Sequence, residues 1–353
     1  MRGGSEPPSV AIRRAIEASG PLTFAEYMEL ALYGPGGFYE TPPVGPYADF
    51  VTSPHVHPVF CELVGEAVRQ LRDRLGGRPR IRLTEVGAGD GTLARCLLAG
   101  SGDVTLAYTA VERSPGARAA LATIDGIDVR DELTGPVDVV VCNELLDNLP
   151  FRVLRGDREV RVGADENGFV EALVPPTPEL SAFVRPGEER IVPVDAFAFI
   201  GTVARSLQRG YALIIDYGGR GTAGGPLHGY RDQSVVEDVL EGPGTTDITA
   251  GVDFELIATH AEGLGLVAFP SVTQRDALLA LGMDDWLDEQ LGRQRTQMEV
   301  GDGHAAVGTW SGRSRASLLI DPSALGRLRW LLLATPGLEP PTWLDLARGR
   351  STD

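Results

Sequence analysis

Between Ile81 and Leu98 the chain passes from an apolar run, Ile81–Val86, through Gly87-Ala-Gly89-Asp-Gly91 into a helical pattern over Thr92–Leu98. Glycine at alternate positions lets the backbone turn sharply and approach a ligand, and the first N–H groups of the following helix stay free. A strand ending in such a turn opens a strand–helix–strand unit, which builds a parallel sheet covered by helices on both faces. The spacing also discriminates between ligands. A dinucleotide turn, GxGxxG from Gly87, needs glycine at position 92, and Thr92 stands there.

The rest of the chain repeats the alternation. Strands are predicted over Val104–Val111, Ile127–Arg130, Val137–Cys142, Tyr211–Asp216 and Leu266–Phe269, with Ala316–Ile320 as the last. Val137–Cys142 is apolar almost throughout, as a strand buried on both faces should be. Helices are predicted over Pro115–Ala122 and over Asp253–Gly263, capped by Asp253. Ahead of this pattern, residues 1–78 read as a helical cap. It holds a helix over Val10–Ala18, a second opened by a Thr23/Glu26 capping box, a third over residues 58–75, and a Gly/Pro/aromatic lid loop over Gly36–Pro54. The core is placed at 79–335, with a small antiparallel insertion at 151–190 and a helical, then polar, insertion at 273–312. The Pro-rich tail, 336–353, is expected to be loosely held. The fold class is therefore α/β, a Rossmann-like doubly wound sheet with an N-terminal cap and two insertions.

Composition narrows the function. The 353 residues carry 49 acidic and 32 basic side chains, a net charge of −17, which argues against a nucleic-acid partner. All the basic residues are Arg, so Schiff-base chemistry and a Lys-containing phosphate loop are excluded. No apolar run reaches the length of a membrane span, and the first residues show no signal core or transit pattern. Cys61, Cys96 and Cys142 form no CxxC pair, which suits reduced thiols in a bacterial cytoplasm and gives no metal cage. His55 and His57 could face one way in extended chain, but no third ligand at motif spacing joins them, so no metal is assigned.

GxGxG after a strand ending in an acid, Glu85, is the pattern of S-adenosylmethionine (SAM) sites. Glu112 lies 21 residues beyond Gly91, at the end of the next strand, where a carboxylate can accept the ribose hydroxyls. Asp131 follows the next short strand, toward the adenine edge. The cofactor set is Glu85, Gly87, Ala88, Gly89, Gly91, Glu112 and Asp131, with Thr52 and Ser53 offering hydroxyls from the lid. Asn143, Glu144 and Asp147 follow a buried strand at its carboxyl end, where open α/β sheets bind ligands. A turn of helix there would put both carboxylates on one face.

Several segments in order then resemble the MidA family of SAM-dependent methyltransferases: Asp49-Phe-Val-Thr-Ser-Pro54, Asn143-Glu-Leu-Leu-Asp-Asn-Leu-Pro150, Ile215-Asp-Tyr-Gly218, Gly229-Tyr-Arg231 and Asp247-Ile-Thr-Ala250 with Val252-Asp-Phe254. The resemblance implies a class I methyltransferase that uses SAM, with a protein arginine as acceptor. Asn143, Glu144 and Asp147 become the catalytic candidates, and His55, Tyr230 and Arg231 the substrate-side ones. Ala48, His55, Asn148 and Gly251 depart from the family's usual residues. They keep open a small-molecule or peptide acceptor, or a low-turnover SAM-binding assembly factor. A homodimer is also compatible with the sequence.

Overall fold

The structure is a computed structural model and describes residues 6–40, 52–100, 105–219, 227–231 and 234–350. Its centre is a sheet of seven principal strands: β1 (Arg80–Val86), β2 (Thr105–Val111), β3 (Ile127–Arg130), β4 (Val137–Asn143), β5 (Leu207–Asp216), β6 (Val267–Ala268) and β7 (Arg329–Ala334). They lie in the order β3-β2-β1-β4-β5-β7-β6. Strands β1 to β5 run parallel, and β7 is antiparallel to its neighbours β5 and β6. Val272–Thr273 adds a further short antiparallel pairing to β7.

Side-chain alternation along β4 builds two apolar layers. Val139 and Val141 face the helices Val59–Arg74 and Thr92–Ala99, while Val140 and Cys142 face Val194–Ser206 and Phe254–Gly263. Asp138, the one acid within that run, is satisfied rather than exposed. It accepts hydrogen bonds from the Arg82 backbone N–H at 2.9 Å and from the Arg82 and Arg78 guanidinium groups.

The strand order reverses between β1 and β4. From β1 the chain proceeds to β2 and β3 on one side, and β4 then starts the other half. The turns leaving β1 and β4 diverge there and open a crevice at the carboxyl ends of the strands.

A second, five-stranded antiparallel sheet is made by Arg152–Arg155, Arg158–Ala164, Phe169–Val174 and Glu189–Val192, joined by Leu22–Thr23 from the N-terminal segment. One apolar cluster unites the two regions: Ile12, Phe24, Tyr27 and Met28 pack with Phe151, Val153, Val160 and Val162. The Thr23/Glu26 capping box is formed in both directions.

Two expectations are corrected. Ala316–Ile320 is not a strand; it completes and follows the helix Gly303–Ser317. Ala316 and Leu319 are buried and Leu318 exposed, which is helical spacing. The last strand is β7, whose run from Trp330 to Ala334 is buried throughout. The tail is not loose either. Thr342–Arg350 is a helix with Trp343, Leu344 and Ala347 in the core, and the Trp343 ring meets Trp330 edge-on at 5.5 Å. Of the lid loop, residues 41–51 lie outside the described residues, Ala48 among them.

Trp343→Ala is expected to destabilise the fold by about 3–5 kcal/mol, because nothing small refills the space of a fully buried indole. Urea unfolding of the variant measures this directly, and a loss below 1 kcal/mol, on the order of a surface change, would contradict the docked helix.

Candidate functional site

The turn after β1 forms one wall of the crevice. Gly87, Gly89 and Gly91 all take positive φ, at 75°, 53° and 77°. At Gly91 a Cβ would also lie 2.5 Å from the Ile124 side chain, so a substitution here is strained by the backbone and must push that side chain aside. Glu112 closes the turn from the end of β2. One carboxylate oxygen accepts the Gly89 N–H at 3.0 Å, and the other accepts the Ser114 N–H at 2.9 Å. Glu85 is buried beneath the turn and accepts a hydrogen bond from the Tyr108 hydroxyl. Burial pushes its carboxyl up to about 8 in spite of that bond.

Above the turn lies a cavity of about 450 Å³. Gly87, Gly89, Glu112 and Asp131 line it on the side of β1 to β3; Tyr33, Tyr39, Glu144 and Asn148 line it opposite. A smaller pocket of about 70 Å³ adjoins it, sharing Gly87, Gly89 and Glu144, and is lined by Thr52, His55, Glu85, Ala88, Asp90 and Asn143 as well.

The second wall is the segment leaving β4. Glu144 has φ 52°, the one positive φ recorded for a non-glycine among the described residues. Its N–H donates to the Ile215 carbonyl at 2.8 Å. Its carboxylate accepts the Ser53 N–H at 3.2 Å and the Asn143 side-chain amide at 3.0 Å. Burial raises the Glu144 carboxyl to about 7. Asn143 Oδ1 is buried without a hydrogen-bond partner at the edge of the smaller pocket.

Leu146–Asn148 forms a single 3₁₀ turn, and Asp147 accepts a hydrogen bond from the Thr249 hydroxyl at 3.1 Å. Asp216, at the end of β5, accepts the N–H groups of Leu145, Leu146 and Tyr217. Burial raises both the Asp147 and the Asp216 carboxyls, and the Asp147 charge beside it raises Asp216 further.

The structure therefore separates residues that the sequence grouped. Glu144 and Asp147 do not share one face of a helix: the chain reverses at Glu144, whose carboxylate turns to Ser53 while Asp147 turns to Thr249. Asp147 lines neither cavity. The Ser53 hydroxyl is buried against Gln274, so only its backbone N–H serves the site. Gly91 shapes the turn and lines neither cavity. Tyr230 and Arg231 also line neither. The Arg231 guanidinium is taken by the Thr246 hydroxyl and the Glu241 carbonyl, and the Tyr230 ring meets His228 edge-on.

His55 lines the smaller pocket with both ring nitrogens engaged, by Thr52 at 2.9 Å and by Asp90 at 3.0 Å. Burial works against ionised Asp90, but the bonds from His55 and Thr92 hold it at about 2. His57 points elsewhere, against the Trp286 ring.

Sequence reasoning missed the wall formed by Tyr33, Tyr39 and Asn148. The Tyr39 hydroxyl and the Asn148 amide both donate to Asp247, and the Tyr33 hydroxyl donates to the Asn148 carbonyl. It also missed Asp216, whose place at the end of a buried strand beside β4 was a usable signal.

With this geometry in place, the profile of a family of S-adenosyl-L-methionine-dependent methyltransferases matches residues 63–271. The chain belongs to this family. Among relatives, it is 30% identical over 320 residues to the mouse protein arginine methyltransferase NDUFAF7, mitochondrial, covering 76% of this chain and 72% of that one. The zebrafish protein of the same name is 29% identical over 319 residues, covering 76% and 75%. A superfamily member from Burkholderia thailandensis, solved with S-adenosyl-homocysteine bound, superposes with a TM-score of 0.82 at 29% identity, over 96% of this chain and 94% of that one. The family member described here is a class I SAM-dependent methyltransferase: its cofactor is SAM and its second substrate is a methyl acceptor. Among the described residues no helix is long and apolar enough to cross a membrane.

Glu85 provides a test of the site's electrostatics. Its carboxyl is raised from an ordinary 4.5 to about 8 in the fold, so the native state holds a proton that the unfolded chain gives up. The stability this contributes is complete below the unfolded pKa and is lost as pH rises through about 8. Without cofactor, the melting temperature of Glu85→Gln should gain on that of the native protein as pH goes from about 5 to about 8. A difference that stays constant over this range would show that Glu85 is not held protonated.

Proposed function

We propose that this methyltransferase transfers the SAM methyl group to a guanidinium nitrogen of a protein arginine. The observation that carries the reading is the acid at the meeting point of the two cavities: Glu144 lines both, backed by the buried Asp147 and Asp216. Such a site favours a cationic acceptor and disfavours a carboxylate or phosphate. The name carried by the mouse and zebrafish relatives supports the same acceptor.

In this reading Gly87 and Gly89 pass close to the cofactor, Glu112 accepts its ribose hydroxyls and Asp131 lies toward adenine. Glu85, Ala88, Thr52 and Asn143 border the methionine end, around the smaller pocket. The acceptor enters beside Tyr33, Tyr39 and Asn148. Nitrogen attacks the methyl carbon in line as the carbon–sulfur bond breaks, and the bonding pair stays on sulfur to give S-adenosylhomocysteine. Guanidinium arrives charged and is a poor nucleophile. Glu144 draws its positive charge away from the attacking nitrogen and takes up the proton that nitrogen loses. Positioning and desolvation supply most of the remaining rate. The free thiols of Cys61, Cys96 and Cys142 suit work in the cytoplasm.

Methyl-labelled SAM incubated with the enzyme and cell lysate should place label in protein, recovered as methylarginine after hydrolysis. Label in small molecules instead would favour the alternative acceptor that Asn148, in the cavity wall, keeps open. Glu144→Gln should keep its affinity for S-adenosylhomocysteine and lose at least about tenfold in turnover, the mark of an interaction made mainly in the transition state. Because the ionised form of Glu144 does the work, turnover should climb with pH up to about 7 and then level, and the variant should lack that rise. Glu112→Ala should weaken S-adenosylhomocysteine by about 1–3 kcal/mol in calorimetry, through lost ribose bonds and a loosened turn.

A further inference from the structure

We propose that Asp216 is a positioning residue of the methyl transfer, holding Glu144 in its working conformation through the backbone of the three residues that follow it. This rests on the reading of Glu144 as the residue that meets the acceptor.

One carboxylate oxygen of Asp216 receives three consecutive N–H groups, from Leu145 at 3.1 Å, Leu146 at 2.7 Å and Asp147 at 3.4 Å. The other receives the N–H of Tyr217 at 2.8 Å. Successive N–H groups converge in this way at the start of a helical turn, here Leu146–Asn148, and such a concavity calls for an acceptor oxygen at its centre. The left-handed residue here is Glu144, at φ 52°, followed by Leu145 at φ −125° and ψ −44°. A side chain beyond glycine sits there at a cost and persists only where its surroundings enforce it.

Other contacts hold the ends of the segment and leave its middle to Asp216. Glu144 N–H donates to Ile215, and the Asp147 carbonyl accepts from Ala250 and Thr249. Leu146 and Asp147 are buried, so without Asp216 their N–H groups would lack partners in a dry environment. The segment would then relax toward an ordinary backbone conformation and swing the Glu144 carboxylate away from Ser53 and the cavity. Asp216 itself is fully buried and lines neither cavity, so its influence on the reaction passes through Glu144.

The test is a double-variant cycle read by transfer of labelled methyl from SAM into lysate protein. Asp216→Ala should lose about tenfold or more in kcat with the KM for SAM and the affinity for S-adenosylhomocysteine within about threefold of native. Asp216→Asn, which keeps one acceptor oxygen for the three N–H groups, should recover most of that loss; if Asp216→Ala does not fold, Asp216→Leu, which removes both oxygens at similar volume, takes its place in the cycle. In a Glu144→Gln background, either substitution should cost little more, because residues that act as one unit are not additive. A crystal structure of Asp216→Ala should show Glu144 out of the left-handed region. Losses by Asp216→Ala that multiply with Glu144→Gln, or an Asp216→Ala structure whose Glu144 keeps its conformation, overturn the Asp216 role alone. Undiminished transfer by Glu144→Gln overturns the reading beneath it, and this proposal with it.

Discussion

Burial of β4 on both faces is the constraint from which the rest of the structure follows. Its alternate side chains supply both apolar layers, so helices must cover the sheet on either side. Apolar surface removed from water is worth about 25 cal/mol per Å², and a central strand buried on two faces collects it twice. Asp138 aside, the chain becomes polar only where β4 ends. It does so at once, with Asn143, Glu144 and Asp147, beside the point where β1 leaves the sheet for its glycine turn. Chemistry is confined to that edge because the sheet has no other place for unpaired polar groups next to an open crevice.

The crevice is built by competition between desolvation and hydrogen bonding. Glu85, Glu144, Asp147 and Asp216 all lose hydration, and burial is the largest influence raising each. Backbone N–H groups and hydroxyls offset that loss unequally. Asp90, at the mouth of the turn, has enough donors to remain strongly acidic, whereas Glu85 has one phenol. Carboxyl groups a few residues apart thus differ in protonation at one pH.

The N-terminal segment supplies the far side of the cavity through Tyr33 and Tyr39, and packs behind it against the antiparallel insertion. Tyr33 and Tyr39 stack at 5.4 Å, and the Arg113 guanidinium lies over the Tyr33 ring at 4.3 Å. Their hydroxyls are committed to Asn148 and Asp247, which ties the first segment of the chain to residues more than a hundred positions later. The wall opposite the glycine turn therefore exists only once Tyr33 and Tyr39 have met Asn148 and Asp247.

Local pattern alone determined much of this protein. The parallel strands, the glycine turn with its missing third glycine, the acid ending β2 and the capping box at Thr23 depend on near neighbours, on period and on backbone sterics. Those rules also placed Asn143 and Glu144 at a strand end. They failed where an apolar run fits two periods, as at Ala316–Ile320, and where a short Pro-rich tail gave no hint that it docks as a helix. Only the tertiary structure decided what each polar group faces. Glu144 and Asp147 part because Asp216, about seventy residues on, captures the N–H groups between them. Ser53 turns its hydroxyl to Gln274, and Arg231 spends its guanidinium on Thr246 and Glu241. The direction of a side chain follows from partners brought together by the fold, and spacing along the chain does not carry that information.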